Sequence, residues 1–224
     1  MLRKILIALV ALVVIFVAYV ATRPSSYSVQ RSTQVAAPPE IVYAQVSDFH
    51  RWDAWSPWAK LDPKMKATYS GAAAGKGAVY EWSSAEKNVG KGRMTITDVS
   101  APRQVKIDLV FMEPYAGQAD TTFAFSPEGG GTKVTWTMGG NMGFMEKAMG
   151  IFMNMDAMIG NDFEKGLGQL RTVSEGEAQK AVAAALAAQK AAEEAAKAKA
   201  AEEEAAKAAA AKHAAASKKK GKKK

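Results

Sequence analysis

The sequence predicts an α+β domain in which a curved antiparallel sheet wraps around one long C-terminal helix, between an N-terminal transmembrane helix and a low-complexity tail. Three observations predict this organisation. Residues 5–21 are uncharged and apolar, the middle of the chain contains five segments in which apolar and polar residues alternate, and residues 143–173 carry one apolar stripe with helical spacing. Period-two alternation is typical of strands, and a period near 3.6 is typical of helices.

The N-terminal segment is long enough to cross a membrane. A helix over residues 5–21 reaches ~26 Å, close to the ~30 Å of a hydrocarbon core. A cleaved signal peptide is the alternative, but large aromatic residues occupy the position where both candidate cleavage sites require a small one. We therefore expect an uncleaved anchor. Arg3 and Lys4 favour a cytoplasmic N terminus, which predicts a single-pass protein of the inner (cytoplasmic) membrane with its domain on the periplasmic side.

The next elements are a strand and two short helical segments. Residues 27–35 alternate large and polar side chains and predict a strand. Pro39 suits the first turn of a helix, so residues 39–46 are expected to be helical. Residues 50–58 are expected to form a second short helix or a turn.

A run of strands follows. The alternating segments are residues 77–83, 92–100, 103–111, 119–126 and 132–138. Glycine, proline and asparagine residues separate them and predict tight connections. Five or six consecutive strands with one apolar face form an antiparallel sheet. The helix predicted at residues 143–173 is expected to cover that face.

These segments together resemble a known family. The stretches that carry the resemblance are RSTQVAAPPEIVYAQVSDFHRWDAWSPW, GAVYEW, GKGRMTITDV, GGGTKVTWTM and GNDFEKGLGQL. They are similar to the helix-grip fold of the START-like superfamily, in its polyketide cyclase/dehydrase and lipid-transport (SRPBCC) branch, here as a membrane-anchored bacterial member. The resemblance implies a cavity for a hydrophobic or lipid-like molecule between the long helix and the sheet, or a cyclase or dehydratase reaction in that cavity.

Composition divides the chain into three expected regions: an anchor at residues 1–24, the helix-grip domain at residues 25–175 and a tail at residues 176–224. From residue 177 onward, twelve lysines and six glutamates account for +6 of the net charge of +8. The tail is rich in alanine, lysine and glutamate, which favours a solvated helix or a disordered segment.

The chain ends in a lysine cluster. The residues expected to contact a polyanion are Lys218, Lys219, Lys220, Lys222, Lys223 and Lys224. An anionic envelope surface is the expected partner, and nucleic acid becomes one only if the tail is cytoplasmic. A purely solubilising role is the alternative, and a scaffold protein that acts through this tail is a further functional hypothesis.

Apolar residues of the sheet and the long helix are the candidates for a cavity wall. They are Tyr80, Trp82, Met94, Phe111, Phe123, Trp136, Met145, Met149, Phe152, Met153 and Asp156. Methionine adapts to varied shapes, which suits a binding surface. Asp156 interrupts the apolar stripe, so it either faces the cavity with a partner or a raised pKa, or lies at the rim. Ordinary core packing is the alternative for each apolar residue.

Three tryptophans are spaced three residues apart. Trp52, Trp55 and Trp58 supply large amphipathic surfaces in a segment of seven residues. They predict either a packing corner that closes one end of the sheet or a hydrophobic entrance to the cavity.

The sequence offers little for catalysis. It contains no cysteine, which excludes disulfides, thiolate chemistry and cysteine-ligated metals, and its two histidines supply few ligands for a multi-histidine metal site. No nucleophile elbow, phosphate loop or zinc-protease motif is present. We therefore expect no metal, no cofactor and no assigned catalytic residue, and favour a monomeric binding or carrier protein over an enzyme.

Overall fold

The computed structural model describes residues 1–152 and 154–220, with side chains up to residue 208. The chain divides into two units, Met1–Ala178 and Gln179–Lys224. The first unit contains an N-terminal helix, a seven-stranded sheet and the short helices around it. This architecture is the α+β fold with a curved antiparallel sheet and a long C-terminal helix that the sequence predicts.

The N-terminal helix α1 is Leu2–Ala21. Within residues 1–152 and 154–220 it is the one helix that is long and apolar enough to span a membrane, and a signal sequence meets the same criteria. Its side chains are exposed except for Val20. After four residues the chain enters β1, Ser26–Val35.

Two short helices follow β1. Helix α2 is Pro39–Val46, with Pro39 in its first turn. A 3₁₀ helix, Phe49–Ala54, follows, and the Asp48 side chain accepts a hydrogen bond from the His50 backbone N–H at its start.

Six further strands complete the sheet. They are β2 Lys66–Gly71, β3 Ala78–Ser83, β4 Lys91–Ser100, β5 Gln104–Glu113, β6 Gly117–Glu128 and β7 Gly131–Asn141. The order across the sheet is β1-β7-β6-β5-β4-β3-β2, and every pair is antiparallel. The sequence did not predict β2, because its six residues are almost all exposed and show no apolar alternation at this edge of the sheet.

The pairing register defines two ends of the sheet. At the open end, β1 begins opposite Asn141 of β7, and the β5–β6 connection follows Glu113. The β3–β4 connection and the start of β2 lie at the same end, because Ser83 pairs with both Lys66 and Lys91. The closed end contains the β2–β3, β4–β5 and β6–β7 turns.

The predicted C-terminal helix is interrupted. The prediction of one helix over residues 143–173 was wrong at its start, because the chain forms α3, Phe144–Met149, and then α4, Met155–Lys220. Gly150 ends α3, and the Asn154 side chain accepts a hydrogen bond from the Ala157 backbone N–H (3.0 Å), as a residue that caps a helix start does. Apolar periodicity continues across such a break and does not reveal it.

Helix α4 packs against the sheet through its first five turns. Phe163, Leu167 and Leu170 are fully buried, and the Glu175 carboxylate accepts a hydrogen bond from the backbone N–H of Ala36 at the end of β1 (2.9 Å). In the second unit, residues 179–220 remain helical, and all their described side chains are exposed.

Candidate functional site

The inward faces of β3, β4 and β5 change character from one end of the sheet to the other. At the closed end Ala78, Ile96 and Ile107 are buried, with exposures of 2% or less. At the open end the next inward residues of the same strands, including Tyr80 and Met94, are only partly buried. Alternation places all of these side chains on one face, but they fill the interior only toward the closed end.

An apolar cavity of about 400 Å³ occupies the open half of the interior. Its wall combines the sheet, the segment around the 3₁₀ helix, the start of α4 and the connections before β2 and between β3 and β4. The lining residues from the sheet are Tyr27, Tyr80, Trp82, Met94, Leu109, Phe111, Thr121, Trp136 and Met138. Those from the helices and loops are Trp52, Asp53, Ser56, Trp58, Ala59, Met65, Asn88, Val89, Met155, Met158, Ile159 and Asp162.

The tryptophans of the 3₁₀ segment separate the cavity from the core. The indole N–H of Trp52 donates to the Val46 carbonyl (2.9 Å), and that of Trp55 donates to the Gln45 carbonyl (3.1 Å). Trp55 is fully buried and does not line the cavity, whereas Trp52 and Trp58 do. Trp55 therefore packs in the core, and Trp52 and Trp58 border the cavity, whereas an entrance at these tryptophans stays a prediction.

Trp136 joins the cavity wall to the buried side of α4. Its ring stacks on Phe163 at 4.0 Å with an interplanar angle of 8°, and Trp58 meets it edge-on at 5.8 Å. Gly166 of α4 permits this approach, because a Cβ at that position would lie 3.0 Å from Trp136 Cζ3 and from Pro57 Cδ. The Trp136 indole N–H is buried and has no hydrogen-bond partner among the described residues.

Few polar side chains border the cavity. Asp53, Ser56, Asn88, Thr121 and Asp162 supply acceptors and donors at its wall. Tyr80 lies among them, and burial raises the pKa of its hydroxyl to about 12, with a smaller contribution from nearby Tyr69 and Asp53. The phenol therefore stays protonated at neutral pH and can donate a hydrogen bond. No group of three metal-ligating side chains occurs in the part of the chain that the structure describes.

Five of the candidate wall residues from the sequence border this cavity: Tyr80, Trp82, Met94, Phe111 and Trp136. Phe123 does not, because it is fully buried between the rings of Trp52, Trp55 and Trp136. Its side chain faces inward as the alternation indicates, but its neighbours leave no space around it.

The candidates from the α3 region lie elsewhere. Met145, Met149 and Phe152 are exposed at or after α3, because the break before α4 removes them from the predicted apolar stripe. Met153 falls outside the described residues. The polyanion candidates of the tail also fall there: Lys222, Lys223 and Lys224 are not described, and the side chains of Lys218, Lys219 and Lys220 are not described either.

Asp156 lies at the surface rather than in the cavity, and its side chain is 60% exposed. The Arg31 guanidinium donates to its carboxylate (3.0 Å) and to that of Glu164 (2.9 Å), which ties β1 to α4. The hydrogen bond from Arg31 holds the pKa of Asp156 below its usual value. Gly160 leaves room for the guanidinium, since a Cβ there would overlap it.

Sequence reasoning missed several lining residues. Leu109 and Met138 carry the same alternation as the named sheet candidates, so this signal could have identified them. Met65, Asn88 and Val89 come from connections with no periodic signal, and only the folded chain brings them to the cavity. Asp162 was missed because it is polar, although it lies on the inner side of α4.

Comparison with known proteins agrees with the fold. Residues 26–175 match the profile of a protein family described as polyketide cyclase/dehydrase and lipid transport. A solved structure of a protein from Rhizobium leguminosarum has 17% sequence identity and a TM-score of 0.50, and the match covers 67% of this chain and 95% of that one. Among curated proteins no match is found.

Two other solved structures have comparable similarity. Protein CV1439 from Chromobacterium violaceum is 17% identical with a TM-score of 0.47, over 68% of this chain and 99% of that one. The Aha1 dimer from Colwellia psychrerythraea is 17% identical with a TM-score of 0.46, over 66% of this chain and 96% of that one. At such low identity the similarity concerns the fold alone.

Proposed function

The chain belongs to the polyketide cyclase/dehydrase and lipid transport family, and we propose that it is a membrane-tethered protein that binds or carries a hydrophobic or lipid-like small molecule. The observation that supports this proposal is the cavity of about 400 Å³, whose wall is mainly aromatic and aliphatic. Pockets for small ligands typically measure about 300–1,000 Å³ and are lined by apolar side chains with a few polar groups.

The tether in this proposal is α1. We propose that residues 1–24 anchor the chain in the inner membrane, that residues 25–175 form the binding domain on the periplasmic side as a monomer, and that residues 176–224 are a tail. The exposed, uncharged surface of residues 5–21 of α1 supports a membrane span, because water does not solvate such a segment favourably. Tethering keeps the cavity near the bilayer, into which apolar ligands partition.

The test is direct identification of a bound molecule. The full chain is purified in mild detergent, and native mass spectrometry and solvent extraction are used to search for co-purifying lipid. We expect a bound apolar molecule, and Trp82→Ala, which alters the cavity wall, to change its amount or identity. An unoccupied protein that also binds no apolar fluorescent probe would overturn the proposal. The matched control is Tyr43→Ala, a partly buried aromatic residue that does not border the cavity.

A cyclase or dehydratase reaction in the same cavity is the second candidate. Asp53 and Tyr80 both border the cavity, and the charge of Asp53 contributes to the raised pKa of Tyr80. A carboxylate base beside a phenol donor is a combination that general acid–base catalysis uses.

The two candidates are distinguished by the bound molecule in Asp53→Asn. If the cavity catalyses a reaction, this variant retains substrate, and the molecule extracted from it differs from the molecule extracted from the unaltered protein, by one water for a dehydration and in its ring structure for a cyclisation. If the protein is a carrier, both preparations contain the same molecule.

A further inference from the structure

The exposed apolar side chains of the first unit are concentrated at one end of the sheet. Outside α1, they include Met112, Tyr115, Phe144, Met145, Met149 and Phe152, with Tyr115 and Phe152 each 79% exposed. Large exposed apolar surfaces on a soluble domain mark an interaction site.

The register places these residues together at the open end. Tyr115 lies in the β5–β6 connection, two residues after Glu113. Helix α3 follows the end of β7, and Asn141 at that end pairs with Ser26. Leu61, also exposed, precedes β2 at this end. The turns of the closed end, at residues 72–77, 101–103 and 129–130, carry small, polar or charged residues and proline.

The chain passes from α1 into β1 at this same end of the sheet. Four residues separate Ala21 from Ser26, so the first residue of β1 lies within about 18 Å of the end of α1 even if the chain is fully extended. Helix α3 contacts α1, the Lys147 ammonium donates to the Ser25 hydroxyl (2.8 Å), and the Met142 backbone N–H donates to the Ser25 carbonyl (2.8 Å). The apolar surface is therefore continuous with the proposed membrane anchor.

The charges beside this surface suit a lipid headgroup layer. Arg23 lies over the ring of Tyr19 (5.8 Å), an aromatic and cationic pair at the end of the apolar helix, as is common at membrane interfaces. Arg23 and Lys147 both line a groove of about 470 Å³ together with Phe152. Cations beside exposed apolar side chains favour anionic phospholipid.

We propose that the open end of the sheet docks on the surface of the bilayer that α1 spans, with Tyr115, α3 and Phe152 inserted at the headgroup level. This inference rests on the proposed function. Tyr27 and Met155 line both the groove beside α1 and the apolar cavity, so these two side chains lie between the proposed membrane surface and the ligand site. The ligand is therefore a membrane-resident lipid that exchanges with the bilayer directly, without passing through water.

Because the sequence contains no cysteine, a fluorophore can be attached to a single introduced cysteine. Single variants Tyr115→Cys, Phe152→Cys, Ala73→Cys and Val13→Cys of the full chain are labelled with an environment-sensitive fluorophore and reconstituted in vesicles of phosphatidylcholine and phosphatidylglycerol. Ala73 is the exposed control at the closed end, and Val13 reports on α1. We expect lipids that carry a headgroup-level quencher to quench the labels at 115 and 152, and to leave the label at 73 unquenched.

The outcomes separate the two proposals. Labels at 115 and 152 that behave like the label at 73, while a quencher in the acyl chains quenches the label at 13, would overturn docking and leave the tether intact. A label at 13 that no membrane quencher reaches would overturn the tether.

A second measurement tests lipid exchange. The double variant Tyr115→Ser/Phe152→Ser removes two apolar contacts with the bilayer and leaves the cavity wall unchanged. We expect transfer of a fluorescent lipid from vesicles to the protein to slow about tenfold or more, with the amount bound at equilibrium unchanged. Unchanged transfer kinetics would contradict the inference, even in a variant that folds normally.

Discussion

The closed and open halves of the domain use the same strands to build different interiors. In the closed half the inward side chains of β4 and β5, Ile96, Val105 and Ile107, are buried in the hydrophobic core. In the open half Met94, Leu109 and Phe111 extend the same inward rows but border a cavity. Identical alternation therefore produces a filled core or a binding site, depending on what packs above the sheet.

Larger inward side chains do not guarantee a filled interior. On β3 to β5 the open half has the larger inward residues, including Tyr80, Trp82 and Phe111, yet it contains the empty volume. Stability is expected to come mainly from the closed half, because buried side chains contribute in proportion to the apolar area removed from water and to the contacts they make. Ligand affinity is expected to come from the open half.

The sharpest test compares two neighbours on β5. Ile107 is 1% exposed, and Leu109 points the same way two residues later but borders the cavity. We expect Ile107→Ala to reduce the free energy of unfolding by about 2–5 kcal/mol, because it creates a new void in a packed core. Leu109→Ala is expected to cost about 1–2 kcal/mol, since it only enlarges an existing space. Chemical unfolding of the full chain in detergent measures both.

The effects of Ile107→Ala and Leu109→Ala on ligand binding should have the opposite order to their effects on stability. Leu109→Ala is expected to weaken binding of an apolar probe, and Ile107→Ala to leave it unchanged in the folded protein. Equal stability losses for the two variants would remove the distinction between the halves.

The second test fills the cavity. Met94 lies between Tyr80 and Leu109 in the sheet and faces the cavity, so a tryptophan at this position has space for its ring. We expect Met94→Trp to fold and to bind an apolar probe at least about tenfold more weakly, a change of about 1.4 kcal/mol. Fluorescence titration measures the affinity. The control Ile96→Trp places the same ring in the closed half, where overpacking is expected to cost about 1–3 kcal/mol of stability.

The third test examines the boundary between the halves through two glycines of α4. A Cβ at Gly166 would meet Pro57 and Trp136 at 3.0 Å, whereas a Cβ at Gly168 would meet nothing within 4 Å. We expect Gly168→Ala to stabilise the protein by about 0.5–1 kcal/mol, because alanine is the better helix former. Gly166→Ala is expected to destabilise it by about 1 kcal/mol as the packing is forced apart. Thermal unfolding compares them, and two stabilised variants would show that α4 does not pack closely at this boundary.

The smallest expected effect concerns the ion pairs between β1 and α4. The hydrogen bond from Arg31 lowers the pKa of Asp156 below its ordinary value of 3.8. A carboxylate with a lowered pKa in the folded state contributes stability that is present above its ordinary pKa and is lost as the pH falls through its folded pKa. Because both carboxylates are about 60% exposed and screened by water, we expect only a small contribution.

The measurement for this prediction is the unfolding midpoint as a function of pH. Between about pH 5 and pH 3 the midpoint of the unaltered protein should fall slightly more than that of Asp156→Asn, which has already lost the pair. Glu40→Gln, a change at an exposed carboxylate, serves as the control and should follow the unaltered protein. Parallel curves for all three proteins would show that the pair does not contribute.

Much of the fold follows from local sequence patterns. Helix α2 begins at Pro39 and ends at Val46 as predicted, because proline marks a first turn independently of its surroundings. The alternating segments became β3 to β7 within a few residues of their predicted bounds. Strand β2 could not be predicted, because an exposed edge strand has no alternating apolar pattern. The break between α3 and α4 could not be predicted either, because apolar residues keep their helical spacing across it.

The candidate site likewise has features that local sequence patterns predict and features that they do not. Alternation within each strand is enough to identify the side chains that face inward, since the pleat of a strand assigns successive residues to opposite faces. The folded chain alone reveals that Phe123 is surrounded by aromatic rings while Met94 borders empty space, and that Asp156 pairs with Arg31 at the surface. These outcomes depend on where residues distant in the chain come to lie, and no local pattern contains that information.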